Sequence, residues 1–127
     1  MSYGRDRTLV PVTITSGTSL SAEVNVGAGR IVGILMSAGW DAAGIAFQAL
    51  ISEPSALPKV PVYGSVQDAA GAAVNILAPV AGAYVAIADT VALIGLGRIL
   101  VRSGTNAVPV NQTANRTLTL VVVSDVG

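Results

Sequence analysis

Neither cysteine nor histidine occurs among the 127 residues. The first absence excludes disulfides and thiolate metal sites. The second removes the side chain used most often as a general base and as a metal ligand. Nucleophile–histidine–acid triads and histidine-based metal centres are therefore out of reach. Charge is scarce as well. Asp, Glu, Lys and Arg make up 11% of the chain, against about 25% in an average soluble domain. Lys59 is the only lysine, and Arg5, Arg7, Arg30, Arg98, Arg102 and Arg116 are spread over the whole length. A duplex-binding protein gathers several such residues on phosphates, so no nucleic-acid partner is expected. One Trp, three Tyr and one Phe are few for an extended sugar-stacking platform.

What the chain has in quantity is apolar surface, with 52% hydrophobic residues and a net charge of zero. A free monomer relies on charge to stay dispersed, and a net charge near zero favours association. Much of the folded exterior is therefore expected to lie against other protein. The length fits one domain, divided here into an arm at 1–7 and a folded unit at 8–127. MSYGRDRTLV lacks an apolar core segment, so no secretion signal is expected.

Period-2 patterning begins at 8–14 (TLVPVTI), where Val10, Val12 and Ile14 share one face. Pro11 cannot donate to a ladder, which places this strand at an edge or a bulge. In 20–26 (LSAEVNV), Leu20, Ala22, Val24 and Val26 are read as inward and Ser21, Glu23 and Asn25 as outward. Residues 30–36 are apolar on both faces, as in a central or covered strand. Ile45, Phe47, Ala49 and Ile51 point one way in 44–51, and further strands are read at 60–66, 72–78, 83–88, 98–102 and 117–123. About nine short strands with turn signals every 8–12 residues predict an all-β, single-domain antiparallel β-sandwich of jelly-roll-like type.

The Ala-rich stretch 69–97 carries one charge, Asp89. It is long enough for a membrane span. Asp89 would cost about 2.5–3.5 kcal/mol near the centre of a span, however, and no aromatic belt or basic cluster flanks the ends. No membrane association is expected. A short helix at 89–95 with Asp89 as its N-cap is a competing reading of that part.

Little in the chain can do acid–base chemistry. Asp6, Glu23, Asp41, Glu53, Asp68, Asp89 and Asp125 are scattered, and Asp41, Asp68 and Asp125 suit turns, where a short acceptor bonds nearby backbone N–H groups. Gly95-Leu96-Gly97 lacks the third glycine of a dinucleotide fingerprint and reads as a turn. The sequons at Asn111 and Asn115 are read as chance. No catalytic, cofactor-binding or metal-binding residue is assigned. Trp40, Phe47 and Tyr63 are candidate core or rim aromatics. An exposed Trp40 would instead favour a carbohydrate-binding module on a fibre or tail. Gln112 could tie loop backbone, because its amide both donates and accepts. Arg116 could reach a carboxylate across a subunit boundary.

The order Trp40, Ala43, Ile45-Ala46-Phe47-Gln48, then Val62-Tyr63 and Gly71, then Arg102-Ser103-Gly104-Thr105, Val108-Pro109-Val110-Asn111-Gln112, Arg116 and Leu118 resembles a group of small virion structural proteins of tailed bacteriophages. The likeness runs from Ser16 to Val123 and departs at 52–59 and 69–97. It implies a non-catalytic β-sandwich that trimerises on a capsid surface or sits at the base of a head fibre. The expected function is a capsid decoration protein, a homo-oligomer bridging subunits of the major capsid protein. It would be made in the host cytoplasm and carried on the virion, and a head-fibre or tail adaptor is the alternative within the same class. Tyr3, Arg5 and Arg7 of the arm, with Arg102, Asn111, Gln112 and Arg116 around the 103–116 loop, are the candidate assembly contacts.

Overall fold

A computed structural model of the chain describes residues 7–53, 60–76, 79–87 and 91–124. Among these, the strands are β1 (Arg7–Ile14), β2 (Val24–Asn25), β3 (Arg30–Leu35), β4 (Ile45–Ser52), β5 (Val62–Ser65), β6 (Asn75–Ile76), β7 (Tyr84–Ala86), β8 (Arg98–Ser103) and β9 (Arg116–Val123). One sheet has the order β1-β9-β3-β7; the other has the order β2-β8-β4-β5, with β6 also paired to β4. Every strand pairing is antiparallel. Apart from β4 to β6, each successive strand changes sheet, which gives the strand order of a jelly roll with β6 as a short addition. The expected all-β sandwich is thus the fold observed.

Alternation explains which residues enter the core. Val12 and Ile14 of β1, Ile31 and Ile34 of β3, and Leu118, Leu120 and Val122 of β9 face Ile45, Phe47, Ile99 and Val101 of the other sheet, and all are buried. Pro11 lies on β1, which has no partner on its outer edge among the described residues, as a residue without an N–H requires. At the other end of the sequence scale, Gly95 and Gly97 form the turn before β8, both at positive φ.

Several boundaries differ from the sequence reading. Arg7, assigned to the arm, is the first residue of β1 and pairs with Val123. In 20–26 only Val24–Asn25 is regular strand, and the facing is reversed before it. Ser21 is buried and Ala22 exposed. The Ser21 hydroxyl accepts the Val101 N–H at 2.9 Å and donates to Ala22 O, so a polar side chain takes the bond that the interrupted ladder leaves open. Ile51, read as inward, is 69% exposed, because β4 shifts register between Leu50 and Ser52 and runs past the end of the core. In the Ala-rich stretch the strand residues among those described are β6 and β7. A 3-10 turn occupies Val91–Leu93; the proposed cap Asp89 lies outside the described residues, as do Tyr3 and Arg5. Among the described residues no helix is long and apolar enough to cross a membrane.

Two glycines separate conformational strain from crowding. Gly17 and Gly104 both have positive φ, 79° and 93°. A Cβ on Gly17 would meet nothing, whereas one on Gly104 would fall 2.5 Å from Val108 O and 2.7 Å from Val110 N, both immobile backbone atoms. In urea unfolding, Gly17→Ala is expected to cost about 1–2 kcal/mol from the left-handed backbone alone. Gly104→Ala is expected to cost roughly 3 kcal/mol or more, since overpacking against backbone adds to that strain. Equal losses would show that the backbone at 104 yields.

Candidate functional site

Three surroundings of the described residues bear on function; Ile51, Val60, Val62, Val80, Ile94 and Val108 are exposed outside them. The first is a knot between the loops at one end of the sandwich. Gln112 is fully buried, and its amide is used at both atoms. Its Oε1 accepts the Asp41 N–H at 2.9 Å, and its Nε2 donates to Ser103 Oγ at 2.8 Å and to Asp41 O at 3.3 Å. Its backbone joins Gly17 and Thr18, the Gly17 N–H donating to Gln112 O and the Gln112 N–H to Thr18 O. One residue therefore ties the 16–18 turn, the 41 loop and the end of β8. Asp41 Oδ2 accepts from the Thr113 N–H at 2.6 Å and from the Thr113 hydroxyl at 2.8 Å. Arg116 Nη2 lies 3.5 Å from Asp41 Oδ1, and its guanidinium rests against Gly39, where a Cβ would displace it.

This geometry corrects two sequence readings. Gln112 cannot be an assembly contact, because no part of it reaches the surface; its loop-tying role is the one realised. Arg116 spends its charge on Asp41 of the same chain instead of a carboxylate across a boundary. Trp40 sits beside the knot, buried, with its indole N–H donating to Ala43 O at 3.0 Å. It therefore forms no exposed platform for a sugar, and the carbohydrate reading loses its residue. Phe47 is core; Tyr63 is half-buried on β5.

The second surrounding is the outer face of the five-stranded sheet, where half-buried Leu50 and Leu100 lie among polar side chains that pair with one another. Arg98 pairs with Glu53 and lies 3.7 Å from Glu23, which also accepts the Tyr63 hydroxyl. Arg102, a candidate contact, donates to Ser19 Oγ at 2.8 Å and to Asn106 Oδ1 at 3.2 Å, and Gln48 donates to the same Asn106 oxygen. The two carboxylates meeting at Arg98 come from positions thirty residues apart and carry no spacing signal in the sequence. They are exposed, neutralised by the guanidinium and outside both hollows described below, so they serve as a surface ion pair of small energetic weight. Among the described residues no three acids gather where a metal ion could be held.

The third surrounding is the outer face of the four-stranded sheet, and it is different in kind. Parity and register place Leu9, Val121 and Gly33 side by side on this face, followed one row on by Pro11, Thr119 and Leu35. Tyr84 of β7 crosses over Gly33 and occupies the space a side chain there would fill. Val121, between Leu9 and the covered Gly33, is 1% exposed although it points away from the core, while Leu9 is 54% exposed. Arg7 and Arg30, both paired with Val123, stand at one end of the strands. Thr13 and Thr117, their hydroxyls 3.0 Å apart, stand at the other. Among the described residues no charged one lies between. A hollow of about 430 Å³ is lined by Arg7, Val32, Tyr84, Val121 and Val123. A second, of about 540 Å³, opens at the end of the sandwich among residues that include Thr8, Val26, Arg30 and Val122. Neither is lined by a carboxylate. Of the remaining candidate contacts, Arg7 is exposed at the rim of this face and Asn111 is exposed in the 103–116 loop.

Neither the protein-family models nor the curated proteins contain a match to this chain.

The knot makes two predictions. Gln112→Ala strands the Asp41 N–H and the Ser103 hydroxyl in the interior, and each buried unpaired group costs about 1–3 kcal/mol. Thermal or urea unfolding should show a loss of roughly 2–4 kcal/mol, and a loss below 1 would mean water replaces the amide. Asp41 is also a pH probe. The Thr113 backbone N–H, then the Thr113 hydroxyl, then Arg116, hold its carboxyl below the ordinary 3.8, against the opposing effect of burial. A carboxylate held below its unfolded value stabilises the fold above that value, and the contribution is lost as pH falls through the folded value. Wild-type stability should therefore fall as pH drops below about 3.8. Asp41→Asn should be less stable at neutral pH and show a flatter acid limb. Parallel curves for the two proteins would remove Asp41 from the acid response.

Proposed function

We propose that the chain is a non-enzymatic structural protein of a tailed-phage virion, a homo-oligomeric capsid decoration protein that packs over the seams between major capsid subunits. The observation that carries this reading is the asymmetry between the two outer sheet faces. The face formed by β2, β8, β4 and β5 carries Leu50 and Leu100 but sets partnered charged groups, Arg98 with Glu23 and Glu53 and Arg102 with Ser19 and Asn106, among them. The face formed by β1, β9, β3 and β7 presents aliphatic side chains, threonines and Tyr84 with arginine only at one end. Contiguous exposed apolar faces of this kind mark interaction sites more often than bare surface. The scarcity of charge in the chain as a whole and the ordered likeness from Trp40 to Leu118 support the same reading.

The energetics suit decoration. Apolar area removed from water contributes roughly 25 cal/mol per Å² before the cost of association is subtracted. A protein that binds only the assembled shell stabilises that shell by mass action. Asn111, exposed in the 103–116 loop, remains a described candidate for polar contacts with the shell.

The test is the composition of particles produced by the genome that encodes this chain. Quantitative mass spectrometry of purified, genome-filled capsids should find the chain at a constant copy ratio to the major capsid protein, and particles lacking it should lose their genome at lower temperature. Its absence from purified particles would overturn the proposal. A ratio of only a few copies per particle would move it to a fibre base or tail adaptor.

A further inference from the structure

We propose that the outer face of the four-stranded sheet is the contact between two copies of this chain, stacked face to face and turned end for end. The inference deepens the structural reading above and rests on its premise that the chain works by packing. It adds which surface meets which partner.

Three observations select a second copy as the occupant. The first is the distribution of polar groups along the strands. Arg7 and Arg30 lie at one end, Thr13 and Thr117 at the other, and only apolar groups and Thr119 lie between. Guanidinium is donor-only and a threonine hydroxyl accepts. End-for-end stacking therefore sets each copy's arginine end over the other's threonine end, keeps the like charges apart and lays the two apolar middles together. In a two-fold contact the same residues must serve on both sides, and this face meets that condition.

The second is the levelling of the surface. Tyr84 fills the gap left by Gly33, and Val121 is already closed off. Leu9, Leu35 and Tyr84 remain exposed on this surface, and end-for-end stacking sets the row of Leu9 over the partner's row of Pro11, Thr119 and Leu35. Sheets stack about 10 Å apart when inner side chains interdigitate, and a face levelled in this way permits that approach.

The third is size. Four strands about 4.8 Å apart, of eight, eight, six and three residues, at about 3.3 Å per residue, present roughly 400 Å² per copy. Two copies thus bury roughly 800 Å², below the roughly 1,000 Å² of a stable specific contact. Pairing in free solution is accordingly weak, in the micromolar range, and is strengthened where many copies are held together on one surface.

The full chain is the material for the test, at neutral pH and concentrations from micromolar to about one millimolar. Sedimentation equilibrium should fit a monomer–dimer exchange. Leu9→Glu and Leu35→Glu, both at exposed positions, should each weaken it tenfold or more with circular dichroism unchanged. Val108→Glu, equally exposed but on the 103–116 loop, should leave it as in wild type. Because the chain lacks cysteine, orientation can be read from engineered thiols. A mixture of Arg7→Cys and Thr13→Cys should oxidise to the mixed disulfide dimer faster than either variant alone forms its own. A monomer at every concentration, a dimer indifferent to Leu9→Glu and Leu35→Glu, or preferential Arg7→Cys self-linkage would each overturn the inference. So would a dimer that appears only after residues 1–6 are deleted, since the face would then be covered by the chain's own start. Pairing in solution by a chain absent from particles would sink the virion reading and leave this inference standing; a monomeric chain found abundantly on particles would do the reverse.

Discussion

β9 is hydrogen-bonded on both sides, to β1 along its whole length and to β3 along most of it, and both faces of the four-stranded sheet are set by that arrangement. Its inward residues Leu118, Leu120 and Val122 complete the core, while Thr117, Thr119, Val121 and Val123 form the middle of the outer face. A slip of one residue would exchange the two sets. Here the exchange would be unusually cheap at the Val121–Val123 end, where both faces are apolar, and expensive at the Arg116–Thr119 end. Register is thus held from the N-terminal half of β9. That is where Arg116 meets Asp41, and where Thr117 meets Thr13. β1 lies at the edge of this sheet and pairs only with the distant β9 among the described residues, so the outer face does not exist until β9 is in place. Non-local pairings of this kind close slowly, which delays the exposure of a sticky surface until the fold that positions it has formed.

The Gln112 knot follows from the same constraint. To bring β9 back beside β1, the 103–116 loop must cross the end of the sandwich, and a loop that crosses over a core buries backbone groups needing partners. Gln112 supplies them to the 41 loop, and its own backbone meets the 16–18 turn. A charged residue could not do this as cheaply in the interior, whereas an amide donates and accepts without a net charge to desolvate. Asp41 and Arg116 sit one layer further out, where partial solvation makes an ion pair tolerable. The chain's few charges are thereby distributed by cost: paired at the rim of the knot, paired on the outer face of the five-stranded sheet, and nearly absent from the face proposed to meet another copy.

How far the sequence discloses this depends on the range of the interaction. Period-2 patterning marks all nine strands near their observed positions, since alternation is local, and Pro11 marks the edge because a missing N–H is a property of one residue. Gly95-Leu96-Gly97 is legible as a turn for the same reason. Ser21 is misread because its burial depends on Val101, eighty residues away, and not on its neighbours. The partnership of Asp41 with Thr113 and Arg116, the junction of Glu23 and Glu53 at Arg98, and the covering of Gly33 by Tyr84 are equally non-local. Residue type leaves Gln112 open between an assembly contact and a loop tie, and topology decides for the tie by burying it. Trp40, read as a core or rim aromatic, is buried as that reading expects, with Ala43 O within reach of the indole N–H and the ring part of the core.

Val121 shows why the composition argument and the structural one converge. In an antiparallel sandwich with one wet face, its position should hold a polar residue. Instead a valine stands there, with a glycine beside it on β3 and a tyrosine laid over that glycine. Tyr84 shields the valine only in part of its surroundings, for Leu9 on the other flank remains half exposed and gains only half of the burial its side chain could have. Stability of the isolated chain offers no reason to keep leucine at an edge where threonine would form the strand as well. A contact outside the chain does, because the exposed half of an aliphatic side chain contributes only when another surface closes over it.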